Sequence, residues 1–326
     1  MYRFEHTNAY TLGEATALLE KGNAAVIAGG TDILPTLKGM CTPDHPELLV
    51  NIKTIPDLDY IREEGGTLKI GALATLTKIA NSSIVRNGWE ALAEAAFKVA
   101  APELRNMGTI GGNICQKPRC IYYRKEFNIF NCARKKGGAD CFALTGVNRF
   151  HSIFGPTGGS CFAICPSDIA PALVALGAII VTTKKADWKA EDFFTVGNKD
   201  DQINDIDSDE IVKEIQIPAL ASGTKSVYKK FAFRKAIDFP LVSVAAVITS
   251  SGGNASNASI VLGGVYNEPK RASEAEASIN GKTINEANAT TAGEEGLKNS
   301  SAALAQAKYK IQIAKTLIKR AILDCR

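Results

Sequence analysis

Apolar residues in the first third of the chain form short runs and one helical stripe. The runs AAVIA (24–28), ELLVNIKTI (47–55) and TLKIGA (67–72) predict short strands, since turn-forming residues separate them. The segment WEALAEAAFKVAAPELRNMG (89–108) is apolar at Leu92, Ala96, Val99 and Ala100. This spacing predicts an amphipathic helix that stops near Pro102.

The remaining pattern predicts a second, smaller domain. SDIAPALVALGAIIVTTKK (167–185) is typical of a helix that leads into a buried strand, and EIQIP (214–218) indicates an edge strand. Small and turn-forming residues at 218–225 mark a boundary, after which three apolar or alternating runs suit antiparallel strands and YKIQIAKTLIKRAIL a closing helix. We therefore predict an α+β fold, with a two-part domain over 1–222 and a domain over 223–326 with a three-stranded antiparallel sheet and helices.

Composition narrows the functional classes. The chain has 326 residues, 45% hydrophobic and 22% charged, which is typical of a folded globular protein. The net charge of +4, from 38 basic and 34 acidic residues, is too small to indicate a nucleic-acid partner. No apolar run approaches the roughly 20 residues of a membrane helix, and no secretory leader follows Met1. We expect a cytoplasmic protein without a membrane span.

A glycine pair follows the first predicted strand, in the sequence AGGTD (28–32). Gly29 and Gly30 permit close approach of the backbone, and the amides from Gly29 to Ile33 would point at an anion such as a pyrophosphate. An ordinary tight turn is the simpler interpretation of this pair by itself. The dinucleotide fingerprint GxGxxG follows no strand in this sequence.

Six of the eight cysteines lie between Cys115 and Cys165, which indicates a metal or redox site rather than a disulfide framework. Eleven, eight and nineteen residues separate Cys120, Cys132, Cys141 and Cys161. Thiolates suit a four-iron cluster, zinc on the end pairs Cys115/Cys120 and Cys161/Cys165 is a second possibility, and inert buried cysteines are a third. The charge of a cluster would be offset by seven basic residues of the segment, namely Lys117, Arg119, Arg124, Lys125, Arg134, Lys135 and Lys136. A small apolar core would be formed by four aromatic residues, namely Tyr122, Tyr123, Phe127 and Phe130.

Several motifs together carry a resemblance to a known family. They are AGGTD (28–32), IGA (70–72), TIGGN (109–113), PSDIAPAL (166–173), YKKF (228–231), RKAIDFPLVSVA (234–245) and LGGV (262–265). In this order they resemble the FAD-binding medium subunit of the xanthine oxidase family of molybdenum enzymes, which includes carbon monoxide dehydrogenase. The cysteine segment is similar to that of the members with an extra [4Fe-4S] cluster, namely periplasmic aldehyde oxidoreductase and 4-hydroxybenzoyl-CoA reductase.

The resemblance implies a set of cofactor-binding residues and a vanillyl-alcohol-oxidase-like FAD fold. Residues implied to contact FAD are Ala28, Gly29, Gly30, Thr31, Asp32, Ile33, Gly71, Thr109, Gly112, Asn113, Asp168 and Lys230. Implied ligands of a [4Fe-4S] cluster in an insertion over about 115–165 are Cys120, Cys132, Cys141 and Cys161, with Cys115 and Cys165 as spare cysteines that could substitute. Asp168 also suits a helix N-cap, and Lys230 a solvated strand lysine. His6, His45 and His151 receive no role.

The implied function is electron transfer within a larger oxidoreductase. A large molybdenum-cofactor subunit would carry out the substrate chemistry, and a small [2Fe-2S] subunit would connect it to this FAD. The complex would oxidise an aldehyde or heterocycle, or else reductively dehydroxylate an aromatic thioester. Lys135 and Lys136 would dock an acidic external carrier such as ferredoxin, and export with a partner would change the compartment. A stand-alone FAD oxidase is the rival, although the AGGTD turn has no histidine for covalent FAD attachment.

Overall fold

The computed structural model describes residues 1–157, 160–194 and 204–326. Twelve strands lie in this part of the chain: β1 (Glu5–Asn8), β2 (Ala24–Ile27), β3 (Leu48–Asn51), β4 (Ile61–Glu64), β5 (Thr67–Gly71), β6 (Ile179–Thr182), β7 (Trp188–Lys189), β8 (Val212–Pro218), β9 (Thr224–Phe231), β10 (Val242–Ser251), β11 (Asn254–Gly263) and β12 (Lys270–Arg271). Twelve α-helices accompany them: α1 (Leu12–Leu19), α2 (Ile33–Gly39), α3 (Leu76–Asn81), α4 (Ser83–Gly88), α5 (Glu90–Lys98), α6 (Pro102–Met107), α7 (Ile110–Ile114), α8 (Ile169–Ala175), α9 (Ala190–Phe193), α10 (Ser273–Ile279), α11 (Glu286–Glu295) and α12 (Ala307–Asp324).

The first sheet is parallel and has the order β1-β3-β2. Its central strand β3 is the most buried, with Leu49 and Val50 fully enclosed between the neighbouring elements. Ligands of open parallel sheets bind outside the carboxyl ends of the strands. The AGGTD turn follows β2 at that edge, so the fold places it where a ligand is expected.

The second sheet is antiparallel and has the order β4-β5-β8-β6-β7. The sequence prediction of an edge strand at 214–218 was wrong, because β8 pairs with β5 on one side and with β6 on the other. Alternation holds at Ile215 and Ile217 of β8, which are buried, and Val212 is buried beyond an irregularity in the pairing with β6. The polar residues between them suggested an edge, whereas they face the second side of a central strand.

The helix that was predicted to stop near Pro102 ends earlier, and a separate short helix begins at Pro102. Helix α5 ends at Lys98, Ala100 adopts a left-handed backbone with φ of 43°, and α6 then begins at Pro102. A proline is favoured in the first turn of a helix, whereas the residue before it is kept out of the helical region. The apolar stripe therefore overestimated the helix by Val99 and Ala100.

The C-terminal part contains an antiparallel sheet of order β12-β11-β10-β9, covered by α10 and α12, with α11 packed against these two helices. Three of these strands correspond to the predicted three-stranded sheet, and the fourth, β12, has only two polar residues and left no apolar signal. The α+β class is confirmed. Helices α5 and α8 of the N-terminal part pack on this sheet, so one hydrophobic core includes Leu173 and also Tyr228, Ala245 and Val261.

Residues 115–165 connect α7 to α8 with little regular structure. Their described part contains a single 3-10 turn, Glu126–Asn128, and isolated bridges between Cys132 and Asp140 and between Thr157 and Cys161. Among all described residues, no helix is long and apolar enough to cross a membrane.

Candidate functional site

The AGGTD turn leaves a row of backbone amides without protein acceptors. Gly30 has a φ of 71°, in the region that glycine adopts freely. Within the described residues, the amides of Gly29, Gly30, Thr31 and Asp32 donate to no other protein group. Consecutive amides of this kind form an anion-binding concavity. The turn therefore fits the pyrophosphate of a dinucleotide such as FAD.

Backbone contacts bring the TIGGN motif against this turn. A Cβ atom added to Gly29 would lie 2.1 Å from the Met107 carbonyl oxygen, so only glycine allows the two segments to approach. Helix α7 begins beyond Thr109, whose hydroxyl accepts a hydrogen bond from the Gly112 amide at 3.1 Å. The Gly111 amide in turn donates to the Ala72 carbonyl at 3.0 Å.

Gly71 has a comparable role at the end of β5. A Cβ atom there would lie 2.3 Å from the Leu58 carbonyl oxygen. The residues implied to contact FAD at 28–33, 71 and 109–113 thus form one neighbourhood, although they come from three separate stretches of the sequence.

A buried polar network extends the neighbourhood to the C-terminal domain. The Ser167 hydroxyl donates to Asn113 Oδ1 at 2.6 Å. The next residue, Asp168, accepts hydrogen bonds from the Tyr228 hydroxyl and, at 2.8 Å, from Lys230 Nζ. Burial raises the pKa of Asp168, and Lys230 and Tyr228 oppose that effect.

Neither alternative interpretation of this acid and this lysine is correct. The Asp168 side chain makes no capping hydrogen bond at the start of α8, and Ser167 Oγ accepts one from the Ala170 amide instead. Lys230 is not a solvated strand lysine, because its side chain is 6% exposed and also donates to the Lys98 carbonyl. The pair joins the two predicted domains, since α8 precedes the predicted boundary and β9 follows it.

Four of the clustered cysteines surround a single narrow cavity. Its lining consists of Cys120, Tyr122, Tyr123, Cys132, Ala133, Arg134, Cys141, Phe142, Cys161 and Ala163. Cys115 does not line this cavity and is exposed, whereas Cys165 is buried in the main hydrophobic core. The structure therefore groups the four cysteines that the family resemblance singled out and separates both spare ones from them.

Hydrogen-bond donors surround the sulfur atoms in this cavity. Arg134 Nε donates to Cys161 Sγ at 3.2 Å, and the Ala163 amide does so at 3.3 Å. His151 Nε2 lies 3.2 Å from Cys120 Sγ. Burial raises the pKa of the Cys120 thiol to about 12, while the backbone amides of Tyr123 and Tyr122 lower it. Such donors stabilise sulfur that is bound to metal.

His151 is a residue that the sequence interpretation missed. It was set aside because no other histidine lies near it in the sequence. Its side chain is buried next to Cys120, and its carbonyl accepts a hydrogen bond from the buried Lys310 Nζ of α12 at 2.7 Å. The signal that would have identified His151 as a neighbour of the cysteine cavity is its position in the sequence between Cys141 and Cys161.

The basic and aromatic residues of the segment are divided between its interior and its surface. Arg134 and Lys135 are 5% and 4% exposed, and Lys135 Nζ donates to Asn128 Oδ1 and the Phe130 carbonyl. The prediction that Lys135 docks a carrier was therefore wrong. The expected aromatic core exists around Tyr122, Phe130 and Phe142, and Tyr123 is buried and lines the same cavity, but Phe127 is 67% exposed and lies outside it.

The described residues form no site for a single metal ion. In the ranges that the structure describes, no group of three or more histidine, cysteine, aspartate or glutamate side chains could hold one ion. This finding counts against zinc on the end pairs. It does not bear in the same way on a four-iron cluster, in which each thiolate binds a different iron and the sulfurs need not converge on a point.

Comparison with known proteins agrees with the FAD neighbourhood. The FAD-binding domain of molybdopterin dehydrogenases matches residues 2–220, and the C-terminal domain of the carbon monoxide dehydrogenase flavoprotein matches residues 226–325. The chain belongs to this family. Its fold is accordingly the two-domain FAD-binding fold, and its relatives are FAD-binding subunits of heteromeric oxidoreductases.

Two relatives span most of the chain. The aldehyde oxidoreductase FAD-binding subunit PaoB of Escherichia coli K12 is 32% identical over 287 residues, which are 86% of each protein. The carbon monoxide dehydrogenase medium chain of Hydrogenophaga pseudoflava is 30% identical over 98% of this chain and 96% of that one. The solved structure of carbon monoxide dehydrogenase from Hydrogenophaga pseudoflava superposes with a TM-score of 0.75 at 29% identity, covering 98% of this chain and 96% of the other.

Proposed function

We propose that this chain is the electron-transfer subunit of a heteromeric molybdenum-containing oxidoreductase and that it carries both FAD and a [4Fe-4S] cluster. The observation that supports the second cofactor is the grouping of four cysteines, out of eight, around one cavity between two motifs of the FAD neighbourhood. The FAD-binding domain match and the free amides of the AGGTD turn support the first.

The proposed FAD site is the one described above. The amides of Gly29 to Asp32 would hold the pyrophosphate, as acceptor-free donors do in other anion-binding turns. Gly112 lies at the exposed side of α7, and Asn113 is oriented by Ser167. Asp168 and Lys230 would form the buried polar end of the site. When bound, FAD exchanges electrons either in pairs or singly, which suits a carrier between two different partners.

The proposed cluster ligands are Cys120, Cys132, Cys141 and Cys161. Thiolates are the usual ligands of iron–sulfur clusters, and hydrogen bonds to their sulfurs tune the reduction potential. The buried cations Arg134 and Lys135 would offset the negative charge of four thiolates. Because burial raises the pKa of Cys120 and of Cys132, iron binding would release protons from this cavity.

The subunit is proposed to work with a large molybdenum-cofactor subunit and a small [2Fe-2S] subunit. Several relatives are called FAD-binding subunits or medium chains, which counts against a stand-alone FAD oxidase. An aldehyde or a heterocycle is the proposed substrate class of the complex, since aldehyde oxidoreductase and glyceraldehyde dehydrogenase are among the relatives. The cytoplasm is the proposed compartment.

An external one-electron carrier such as ferredoxin would dock over the cysteine segment. Lys125 and Lys136 are exposed in this segment, as are the apolar side chains of Phe127 and Ile129, so the segment offers basic and apolar groups to a partner. Replacing Lys125 and Lys136 by glutamate should slow electron exchange with an acidic carrier at low ionic strength and leave dye reduction unchanged. Equal rates with the carrier would contradict this docking surface.

Iron content and spectroscopy of the purified complex test the cluster. We expect one FAD and roughly four irons in this subunit, with flavin bands and a broad absorption near about 400 nm. Replacing Cys120, Cys132, Cys141 or Cys161 by serine should remove the iron of this subunit. The matched control is Cys165→Ser, which should retain it, because Cys165 lies in the main core. Flavin without iron in the unaltered subunit would overturn the proposal.

A further inference from the structure

The carboxylate of Asp32 connects the FAD turn to the cysteine segment. Its Oδ1 lies 2.6 Å from an Nη atom of Arg119 and 2.7 Å from one of Arg124. Its Oδ2 accepts a hydrogen bond from the Lys117 amide at 2.9 Å. All three donors lie beside Cys120 in the sequence, 85 or more residues from the turn. Asp32 was implied to contact FAD, yet its carboxylate is occupied by the start of the cysteine segment.

Arg124, which belongs to the cysteine segment, adds further contacts between that segment and α2. Its guanidinium also donates to the Thr36 hydroxyl in α2 and to the carbonyls of Lys117 and Pro118. Its own amide donates to the Cys120 carbonyl at 2.9 Å. Arg124 thus contacts both the first turn of α2, which follows the AGGTD amides, and the backbone next to the first proposed cluster ligand.

These contacts are shielded from solvent. The side chains of Asp32, Arg124 and Arg119 are 19%, 14% and 25% exposed. Charge pairs at this depth are screened less than surface pairs, and removal of one partner leaves the other uncompensated. The surface pair Lys136–Asp44 also joins the segment to the N-terminal part, but its side chains are 82% and 67% exposed and 3.4 Å apart. It therefore offers a matched comparison.

We infer that Asp32 is a positioning residue that couples the cluster site to FAD affinity, an inference that rests on the proposed function. The described part of 115–165 has little regular structure, so side-chain anchors fix its position. A cluster held by Cys120 would immobilise the Lys117–Arg124 segment, and Arg124 and Asp32 would then hold the amide turn in its binding geometry. The ordering cost of the turn is lowered before FAD binds, so iron strengthens FAD binding, and by the same coupling FAD strengthens iron binding.

FAD titrations with and without the cluster test the coupling. The dissociation constant is measured by flavin fluorescence for the iron-loaded subunit and for the same subunit after anaerobic removal of iron. In the unaltered protein we expect iron removal to weaken FAD binding by about tenfold, within the usual range of coupling between sites. In Asp32→Asn the two dissociation constants should agree within about twofold. Asp32→Glu keeps the carboxylate and should restore part of the coupling.

Control variants separate coupling from other roles. Asp44→Asn removes the exposed pair and should keep the full effect of iron. If Asp32→Asn does not fold, Arg124→Lys, which keeps the charge but loses the fork-shaped contacts, should show the same loss of coupling. A uniform weakening of FAD binding by Asp32→Asn, with the effect of iron unchanged, would overturn the inference and make Asp32 a direct FAD contact. Absence of iron from the unaltered subunit would instead refute the proposed cluster itself, and the coupling with it.

Discussion

The two candidate cofactor sites are built in opposite ways. The FAD neighbourhood is assembled from backbone: glycines at close approaches, amides without acceptors, and short strands and helices that end at the site. The cysteine segment is assembled from side chains: buried guanidinium and ammonium groups, an aromatic cluster and thiols, with little regular structure. The FAD neighbourhood therefore depends on glycines at fixed positions. The cysteine segment depends on particular charged, aromatic and thiol side chains.

The largest effects should come from adding one methyl group at a close approach in either region. Gly29→Ala would place Cβ 2.1 Å from the Met107 oxygen, and Gly138→Ala would place it 1.9 Å from the Cys132 oxygen. Because neither backbone can be avoided without a shift, each should cost about 3 kcal/mol or more of stability. We expect Gly29→Ala to lose FAD by at least about 100-fold in affinity, or about 2.7 kcal/mol, and Gly138→Ala to lose mainly iron.

The control for both is Gly13→Ala in α1, where nothing lies within 4 Å of an added Cβ atom. Alanine should stabilise that helix by up to about 1 kcal/mol. Thermal unfolding, FAD titration and iron analysis of the three variants check the comparison. Equal loss of FAD and iron in both variants would show that the two sites do not differ in this way.

A second effect of comparable size concerns the buried ion pair between Asp168 and Lys230 on the flavin side. Asp168→Asn leaves Lys230 buried without its counter-charge, so we expect a loss of about 3–5 kcal/mol in the free energy of unfolding. The control Asp238→Asn removes the partner of Arg234, whose side chain is 74% exposed, and should cost about 1 kcal/mol at most. Urea denaturation measures both values. Similar losses in the two variants would argue against a buried role for the Asp168–Lys230 pair.

The contrast between backbone and side-chain construction also explains how much of each site could be predicted from the sequence. The glycine motifs AGGTD and TIGGN indicated the flavin side through the family resemblance, whereas the glycine pair by itself predicted only a tight turn. The burial of Lys135 and the contact of His151 with Cys120 were not visible, since they depend on chain folding over tens of residues. Likewise, the alternation in EIQIP predicted a strand but not its central position, which is decided by the partners β5 and β6.

The third prediction tests the side-chain construction directly. Arg134→Met removes the hydrogen bond to Cys161 Sγ and the one to Asn267, so we expect a loss of about 2 kcal/mol in stability. Iron should also be released faster to a chelator, with a smaller change in FAD content. The neighbouring Lys136→Met changes an exposed side chain and should be neutral within about 0.5 kcal/mol. Equal chelation rates in the two variants would contradict a role for Arg134 at the sulfur.

The smallest effect concerns the support of the cysteine segment by α12. Lys310 is buried with its ammonium on the His151 carbonyl, and burial lowers its pKa from 10.5 to about 7. Between these two values the unfolded chain binds more protons than the folded chain, so rising pH stabilises the folded state. From pH 7 to pH 8 this contribution should amount to about 1 kcal/mol.

Lys310→Met removes this dependence while it also loses the hydrogen bond to His151. The free energy of unfolding of the variant, relative to the unaltered protein, should therefore fall by about 1 kcal/mol when the pH rises from 7 to 8. The control Lys308→Met changes an exposed lysine of the same helix and should keep the original pH dependence. Urea denaturation at pH 7 and at pH 8 measures the free energy of unfolding of both variants and of the unaltered protein. If the Lys310 variant followed the same slope as the control, Lys310 would remain protonated in the folded chain up to pH 8, and burial would not lower its pKa to about 7.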